Sequence, residues 1–194
     1  RYLTGGDFDL ESVQPIGDFL WFGEEFGPYL IKTDKSGKVL QIFETRVDGK
    51  LVRSPDHPAL TLPAVPGPVK FEVRRSKGFE GMAASPDSKF LYPLLEGPLL
   101  TESGEPEAKD GKRFLRILEF DVAKGEYTGR SFKYTLEAPA NAIGDFNMID
   151  AGTGLIIERD DTEGDAAHAC KDGAVKADCF NVPAKFKRIY KIDL

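Results

Sequence analysis

Histidine is scarce in this chain of 194 residues, and several common catalytic motifs are missing altogether. The only two histidines, His57 and His168, lie far apart in sequence, which makes a Ser-His-Asp arrangement unattractive. The chain also lacks the G-x-S-x-G nucleophile elbow, the H-E-x-x-H zinc motif, the Walker A loop and the G-x-G-x-x-G fingerprint. What remains for catalysis is the chemistry of carboxylates.

An excess of basic residues and long apolar runs are missing as well. Acidic residues number 32 against 26 lysines and arginines, and no basic patch stands out, which argues against nucleic acid as a partner. No apolar run approaches the roughly 20 residues that span a bilayer, so no membrane span is predicted. The chain begins at Arg1 without a signal peptide, which favours a processed or excised fragment.

Only two cysteines occur, Cys170 and Cys179, close together in a polar loop. This spacing predicts a disulfide that closes a surface loop in an oxidising compartment. The alternative is a pair of free thiols in a cytosolic protein. A zinc site is less favoured, because His168 is the only nearby third ligand.

An apolar hairpin framed by acids occupies residues 78–97. Two strands flank the segment Ser85-Pro86-Asp87-Ser88, in which the proline and the short polar side chains favour a type I turn. Glu80 and Glu96 lie near the outer ends of the two strands. Because those ends lie side by side in a hairpin, the two carboxylates are predicted to share one rim.

The same pattern occurs three times, with further copies at residues 6–25 and 143–160. Each copy is followed by another apolar strand that ends in an acid. The interval of roughly 60 to 70 residues is long for a propeller blade but allows one loop insertion per blade. The alignment of the copies predicts two sets of equivalent residues, Glu11 with Glu80 and Asn147, and Glu25 with Glu96 and Glu158.

These repeats predict an all-β fold, with about three four-stranded blades of a β-propeller in a single domain over residues 1–194. The blades correspond to residues 1–45, 77–138 and 139–194, and the proline-rich segment 46–76 is predicted to be a long loop. A propeller closes with about four or more blades, so a larger, for example six-bladed, propeller is expected. The remaining blades or a second chain would close it.

The motifs D-F-D-x-E-S, G-E-E-F-G-P, G-F-E-G-M-A, L-L-E-G and I-E-R-D lie within these repeats. Together they resemble the phytase-like domain family, also described as the esterase-like activity of phytase. The resemblance covers nearly the whole chain and implies a secreted or periplasmic β-propeller whose acidic residues act in phosphoester hydrolysis. The positions it implicates are Asp9, Glu11, Glu25, Glu80, Glu96, Asp145, Glu158, Arg159 and Asp160.

Acids from successive blades would ring one mouth of the propeller channel, where a hard cation such as Ca²⁺ could compensate their repulsion. The first hypothesis is therefore a hydrolase of a phosphomonoester or phosphodiester that uses a bound divalent cation such as Ca²⁺. The expected partner is a small phosphoester or ester substrate. The candidate metal ligands are Asp9, Glu11, Glu80, Asp145, Asn147 and Glu158. The candidate catalytic residues are Glu25, Glu96, Arg159 and Asp160, and the candidate substrate-binding residues are Arg159 and His57, the latter otherwise a solvated loop histidine.

Two other functions fit the same residues. A metal-dependent lactonase or esterase would hold one metal at the channel mouth through Glu11, Glu80 and Asn147. A non-catalytic propeller would bind a ligand or a protein and use its acids structurally, since carboxylates also accept backbone N–H bonds at turns. Substrate profiling separates the first two hypotheses. The third predicts that Glu80→Gln changes stability alone.

Overall fold

A computed structural model describes residues 2–171 and 177–194 of the chain, and strands dominate it. Within these residues the only helices are two 3₁₀ turns, Gly5–Asp7 and Ala166–His168. Neither has the length or the apolar character that crossing a membrane requires. The predicted all-β class is confirmed.

The first sheet contains four antiparallel strands that are neighbours in the same order as in the chain. They are β1 (Leu10–Ile16), β2 (Phe19–Glu24), β3 (Tyr29–Asp34) and β4 (Val39–Glu44). Gly17, with φ of 60°, allows the tight turn between the first two strands. This up-and-down sheet is the arrangement expected of a propeller blade.

The segment from residue 46 to 76 is not wholly irregular, which corrects the prediction of a loop without regular elements. Its start forms a small hairpin of β5 (Arg46–Val47) and β6 (Lys50–Leu51). Asp48 and Gly49 join the two strands with positive φ values, and an Asp-Gly pair favours this conformation in a two-residue turn. The proline-rich remainder carries no strand, as predicted.

The second sheet contains the hairpin predicted over residues 78–97. Its strands lie in the order β7 (Phe79–Ala84), β8 (Phe90–Leu95), β10 (Lys112–Asp121) and β11 (Glu126–Thr135), and the short β9 (Ala108–Lys109) pairs with β10. The backbone N–H of Ser88 donates to the carbonyl of Ser85 at 2.8 Å, which closes the predicted turn.

The third sheet has three strands in the described part of the chain. They are β12 (Ala142–Met148), β13 (Thr153–Arg159) and β14 (Lys187–Asp193). The long connection before β14 carries the disulfide between Cys170 and Cys179, whose Cα atoms are 4.9 Å apart. The predicted pairing of the two cysteines is therefore confirmed.

The three sheets pack face to face, with β7 between β1 and β12. One buried cluster joins Trp21 of the first sheet to Phe79 and Phe120 of the second. Another joins Ile117 of the second sheet to Phe146 of the third. Consecutive up-and-down sheets stacked through their first strands are the organisation of a β-propeller.

Close backbone contact between the first two blades requires glycine at position 78. A Cβ atom there would lie 2.3 Å from the carbonyl oxygen of Glu25 and 2.6 Å from its Cα. Gly78→Ala should therefore force the blades apart and lower the free energy of unfolding by about 1–3 kcal/mol, measured by urea denaturation. Gly152→Ala is the matched control, since a Cβ there meets nothing within 4 Å. Equal stability of the two variants would contradict this contact.

Candidate functional site

A β-bulge recurs at the same place in the first strand of each blade. The pairing shifts by one residue between Leu10 and Ser12, between Phe79 and Gly81, and between Ile143 and Asp145. A bulge leaves the extra residue unpaired and can redirect its side chain. The extra residues are Glu11, Glu80 and Gly144.

This register gives the true equivalences between blades. The residues before the bulges pair with Glu24, Leu95 and Glu158, so the residues that follow these partners are also equivalent. Those residues are Glu25, Glu96 and Arg159. The predicted equivalence of Glu11 with Glu80, and of Glu25 with Glu96, is confirmed.

The two equivalences predicted for the third blade are wrong. Asn147 pairs with Leu155, further along the strand than the bulge, so it does not correspond to Glu11. Glu158 corresponds to Glu24 and not to Glu25. The error arises because the third blade has Gly144 at its bulge. It therefore has no acidic residue that could be aligned with Glu11 and Glu80.

Five acids from the first two blades come together at the end of β2, and we call them the acidic cluster. Its members are Asp9, Glu11, Glu25, Glu80 and Glu96. Carboxylate oxygens of Glu25, Glu80 and Glu96 lie within 4.8 Å of one another, and those of Asp9, Glu11 and Glu25 form a second such group. Glu25 belongs to both groups and is 6% exposed.

Burial and mutual repulsion disfavour ionisation in the acidic cluster. Burial, followed by the charges of Glu96 and Glu80, raises the pKa of Glu25 to about 8. Burial and then the charge of Glu96 raise the pKa of Glu80 to about 7. Burial and the neighbouring Asp9 also raise the pKa of Glu11. The fold therefore holds these acids together against an electrostatic cost.

Two cations face the acidic cluster. Lys77, just before β7, donates a short hydrogen bond to Glu96. Arg159 places its Nη2 atom 3.7 Å from Glu80 and 3.6 Å from Glu96, while its Nη1 atom lies 2.9 Å from Asp161. The third blade thus supplies an arginine at the position where the first two supply Glu25 and Glu96.

Glu158, a predicted metal ligand, is instead fully engaged in the interior. It is 1% exposed and accepts hydrogen bonds from the hydroxyl of Tyr134 at 2.7 Å and the Nδ2 atom of Asn141 at 2.6 Å. The backbone N–H of Glu137 donates to it at 2.9 Å. These contacts join the second blade to the third and give Glu158 a structural role.

Asp160, a predicted catalytic residue, anchors the connection that returns to β14. It accepts hydrogen bonds from the backbone N–H of Lys185 at 2.8 Å and from the Nζ atom of Lys187 at 2.9 Å. The backbone hydrogen bond from Lys185, followed by Lys187, lowers the pKa of Asp160. These bonds give Asp160 a structural role, because they hold the connecting loop against the start of β14.

Asp145 and Asn147 do not join the acidic cluster, because their side chains bond to each other and to neighbouring groups. The carboxylate of Asp145 accepts from the backbone N–H of Phe146 at 2.7 Å and from the Nδ2 atom of Asn147 at 2.9 Å. Gln14 of the first blade donates to the side chain of Asn147 at 3.1 Å and to the carbonyl of Met82 at 2.7 Å. These bonds tie the first strands of the three blades together.

His57 is buried, which corrects the expectation of a solvated loop histidine. It is 3% exposed, and its Nε2 atom lies 3.0 Å from the hydroxyl of Tyr29. Its Nδ1 atom accepts from the backbone N–H of Ala59 at 3.0 Å. Burial lowers the pKa of the ring. Both ring nitrogens are therefore occupied internally, which leaves neither of them for a substrate.

The sequence analysis missed two residues that shape the acidic cluster, Lys77 and Glu24. Lys77 precedes the repeated motif and carries no motif of its own. Glu24 is buried and accepts hydrogen bonds from the backbone N–H groups of Phe26 at 2.9 Å and Gly27 at 2.7 Å. Burial raises its pKa to about 7. Glu24 lies next to Glu25 at the end of a predicted strand, and this pair of adjacent glutamates is the sequence feature that could have identified it.

Comparison with known proteins identifies the family of the chain and a curated relative. The family described as "Phytase-like: Esterase-like activity of phytase" matches residues 2–194. An uncharacterized secreted protein of Arthroderma benhamiae is 28% identical over 175 residues, which covers 76% of this chain. The chain spans 33% of the length of that relative.

Two solved structures are also similar to the chain. The RRP9 WD40 repeats match 80% of the chain with 15% identity and a TM-score of 0.30, over 50% of that structure. The structure of U3-55K matches 82% of the chain with 15% identity and a TM-score of 0.33, also over 50% of its length. Because both TM-scores lie well below 0.5, neither structure is used to assign the fold. The propeller assignment rests on the three stacked sheets.

The raised pKa values predict an unusual dependence of stability on pH in the presence of EDTA. The folded-state values of about 8 for Glu25 and about 7 for Glu80 lie above the ordinary value of 4.5. The folded protein therefore retains protons that the unfolded chain releases, and the wild type loses stability as the pH rises from about 5 to about 8.

Urea denaturation of the wild type and of Glu25→Gln across this range measures the effect, because glutamine does not titrate. Relative to the variant, the wild type should lose on the order of 2–4 kcal/mol between the two limits. A difference that stays constant, or that grows in favour of the wild type, would contradict the buried acidic cluster.

Proposed function

The chain belongs to the phytase-like family, and on that premise we propose that it hydrolyses a small phosphoester with a divalent cation in the acidic cluster. The observation that carries the proposal is the meeting of three blades at one point. There Glu25, Glu80 and Glu96 bring carboxylate oxygens within 4.8 Å of one another, and Arg159 lies beside them. Carboxylates that suit a cation and a guanidinium that suits a phosphate are thus adjacent.

The chemistry of the side chains fits a hard cation. Every candidate ligand is a carboxylate, and oxygen ligands suit Ca²⁺ best when the geometry is irregular. Within residues 2–171 and 177–194, the five acids form ion pairs with Lys77 and Arg159 alone, so a fully ionised cluster would keep uncompensated negative charge. Glu25, Glu80 and Glu96 are the proposed ligands, because they form the more buried of the two groups. Ca²⁺ is the proposed ion.

A bound divalent cation supplies Lewis acidity, polarising a phosphoryl oxygen. Arg159 holds the phosphate, since a guanidinium can donate two hydrogen bonds to a phosphate group. Its bond to the exposed Asp161 leaves the Nη2 atom directed at the cluster. Glu11 is the proposed base, because it is the exposed member of the cluster and its raised pKa suits accepting a proton from water.

Arg159 favours a phosphoester over a neutral lactone as substrate, because its positive charge matches a charged group. The lactonase alternative drew its support from the equivalence of Asn147 with Glu11 and Glu80, which the strand register excludes. Hydrolysis of carboxyl esters is still compatible with the esterase-like description of the family. Hydrolysis of a carboxyl ester is therefore included among the possible results of the substrate assay below.

The proposed location is secreted or periplasmic. The disulfide between Cys170 and Cys179 supports it, since such bonds persist in oxidising compartments. The secreted protein of Arthroderma benhamiae supports it as well. Further blades, from the same polypeptide or from a second chain, are proposed to close the propeller around the site.

Thermal unfolding tests the proposed cation directly. Ca²⁺ added after EDTA should raise the midpoint by roughly 5–10 °C at a concentration about 100 times its Kd, because it binds the folded state alone. Glu80→Gln should abolish the shift. Glu163→Gln is the control, since Glu163 is exposed and outside the cluster. The absence of a shift with Ca²⁺, Mg²⁺ and Zn²⁺ would refute the cation.

The same variants test the reaction on 4-nitrophenyl phosphate, bis(4-nitrophenyl) phosphate and 4-nitrophenyl acetate. Calcium-dependent release of nitrophenol from a phosphate should fall about 100-fold in kcat for Glu11→Gln, whereas Arg159→Gln should chiefly raise KM. Hydrolysis of the acetate alone would replace the phosphoesterase by a carboxylesterase. A calcium shift without any hydrolysis would favour a binding propeller.

A further inference from the structure

Three equivalent residues meet at the site, from the ends of the second strands of the three blades: Glu25, Glu96 and Arg159. The residue that precedes each of them is buried, but its chemistry differs between the blades. It is Leu95 in the second blade, whereas Glu24 is 0% exposed in the first blade and Glu158 is 1% exposed in the third. Leu95 shows that an apolar side chain suits this position. Because burying a carboxylate costs free energy unless it is hydrogen-bonded, packing alone does not explain the two glutamates.

Glu24 holds the turn that carries Glu25. Its Oε2 atom accepts from the backbone N–H of Phe26 at 2.9 Å, and its Oε1 atom accepts from that of Gly27 at 2.7 Å. A Cβ atom at Gly27 would lie 2.7 Å from the same Oε1 atom, so the turn lies close against the carboxylate. The backbone N–H of Glu25 also donates to the carbonyl of Asp9 at 2.9 Å. The backbone of Glu25 is therefore fixed beside the other acids of the cluster.

Glu158 fixes the end of a strand of the third blade against the second blade. It accepts from the hydroxyl of Tyr134, which lies in β11 of the second blade, and from two groups in the connection between the blades. The next residue, Arg159, reaches back to Glu80 and Glu96, which also belong to the second blade. The hydrogen bonds of Glu158 therefore hold the two blades at the separation that the guanidinium spans.

We propose that Glu24 and Glu158 are positioning residues, and that each acts on the residue that follows it. Glu24 holds Glu25 in place as a cation ligand, and Glu158 holds Arg159 in place for the phosphate. The second blade has no acid at this position, and there Lys77 bonds to the site residue itself. The two chemical roles rest on the proposed function, whereas the positioning of the two side chains does not.

Replacement by glutamine should affect the two positions differently. At Glu24 each carboxylate oxygen accepts from a different backbone N–H, and the amide nitrogen of a glutamine cannot accept. Glu24→Gln therefore leaves one N–H without a partner. At Glu158 the Oε1 atom accepts two of the three bonds, and the Oε2 atom faces the hydroxyl of Tyr134, which can accept from an amide nitrogen. Glu158→Gln therefore keeps all three bonds, whereas Glu158→Ala removes them.

Calcium affinity and KM separate positioning from a general loss of stability, at a temperature at which every variant is folded. Glu24→Gln should weaken calcium binding about tenfold by isothermal titration calorimetry, because a displaced ligand lowers metal affinity. Glu158→Ala should not weaken calcium binding, and it should raise KM for bis(4-nitrophenyl) phosphate about tenfold at saturating calcium. Glu158→Gln should recover most of that loss, and Glu163→Gln is again the exposed control. Equal effects of Glu24→Gln and Glu158→Ala on both constants would overturn the proposal.

Crystal structures of the wild type and the variants grown in EDTA test positioning independently of any activity. Glu25 should move away from Glu80 in Glu24→Gln, and Arg159 should move away from Glu80 in Glu158→Ala. These movements would support the proposal even if no cation bound and no ester were hydrolysed, which would refute the proposed function alone. Site residues that keep their wild-type positions would overturn the proposal, even if the wild type hydrolysed a phosphoester. A movement in one variant alone would overturn it for the other residue.

Discussion

Repulsion between buried carboxylates is the constraint on which the rest of this structure depends. Glu25, Glu80 and Glu96 come from two different blades, and their proximity in a partly dry environment disfavours the folded state. The packing between blades must overcome that cost. The charges of Lys77 and Arg159 offset part of it, and Gly78 allows the two blades to approach closely beside Glu25. A cluster kept at such a cost is a functional candidate on physical grounds.

The three blades differ at equivalent positions, so the site contains both negatively and positively charged side chains. The bulge and the strand end present glutamates in the first two blades, but Gly144 and Arg159 in the third. The glycine adds no carboxylate to the cluster, and the arginine brings a positive charge to its edge. One side of the site thus suits a cation, and the other side suits an anion.

Much of the fold could be predicted from the sequence, because hairpins leave local patterns. The turn at Ser85, the acids Glu80 and Glu96 at adjacent strand ends, and the pairing of Cys170 with Cys179 all followed from short-range chemistry. The bulges left no such pattern, so the third blade was aligned wrongly and Glu158 was taken for a ligand. His57 bonds to Tyr29, a partner distant in sequence that periodicity does not reveal, so its burial could not be predicted.

A crystal of the chain grown with Mn²⁺ would test the central claim most directly, since the ion can be located by its anomalous scattering. The account predicts one peak bound to carboxylate oxygens of Glu25, Glu80 and Glu96, with Arg159 beside it. A peak at Asp145, Glu158 or Asp160 would contradict the account, because those residues are assigned structural bonds here. An empty acidic cluster at saturating Mn²⁺ would contradict it as well.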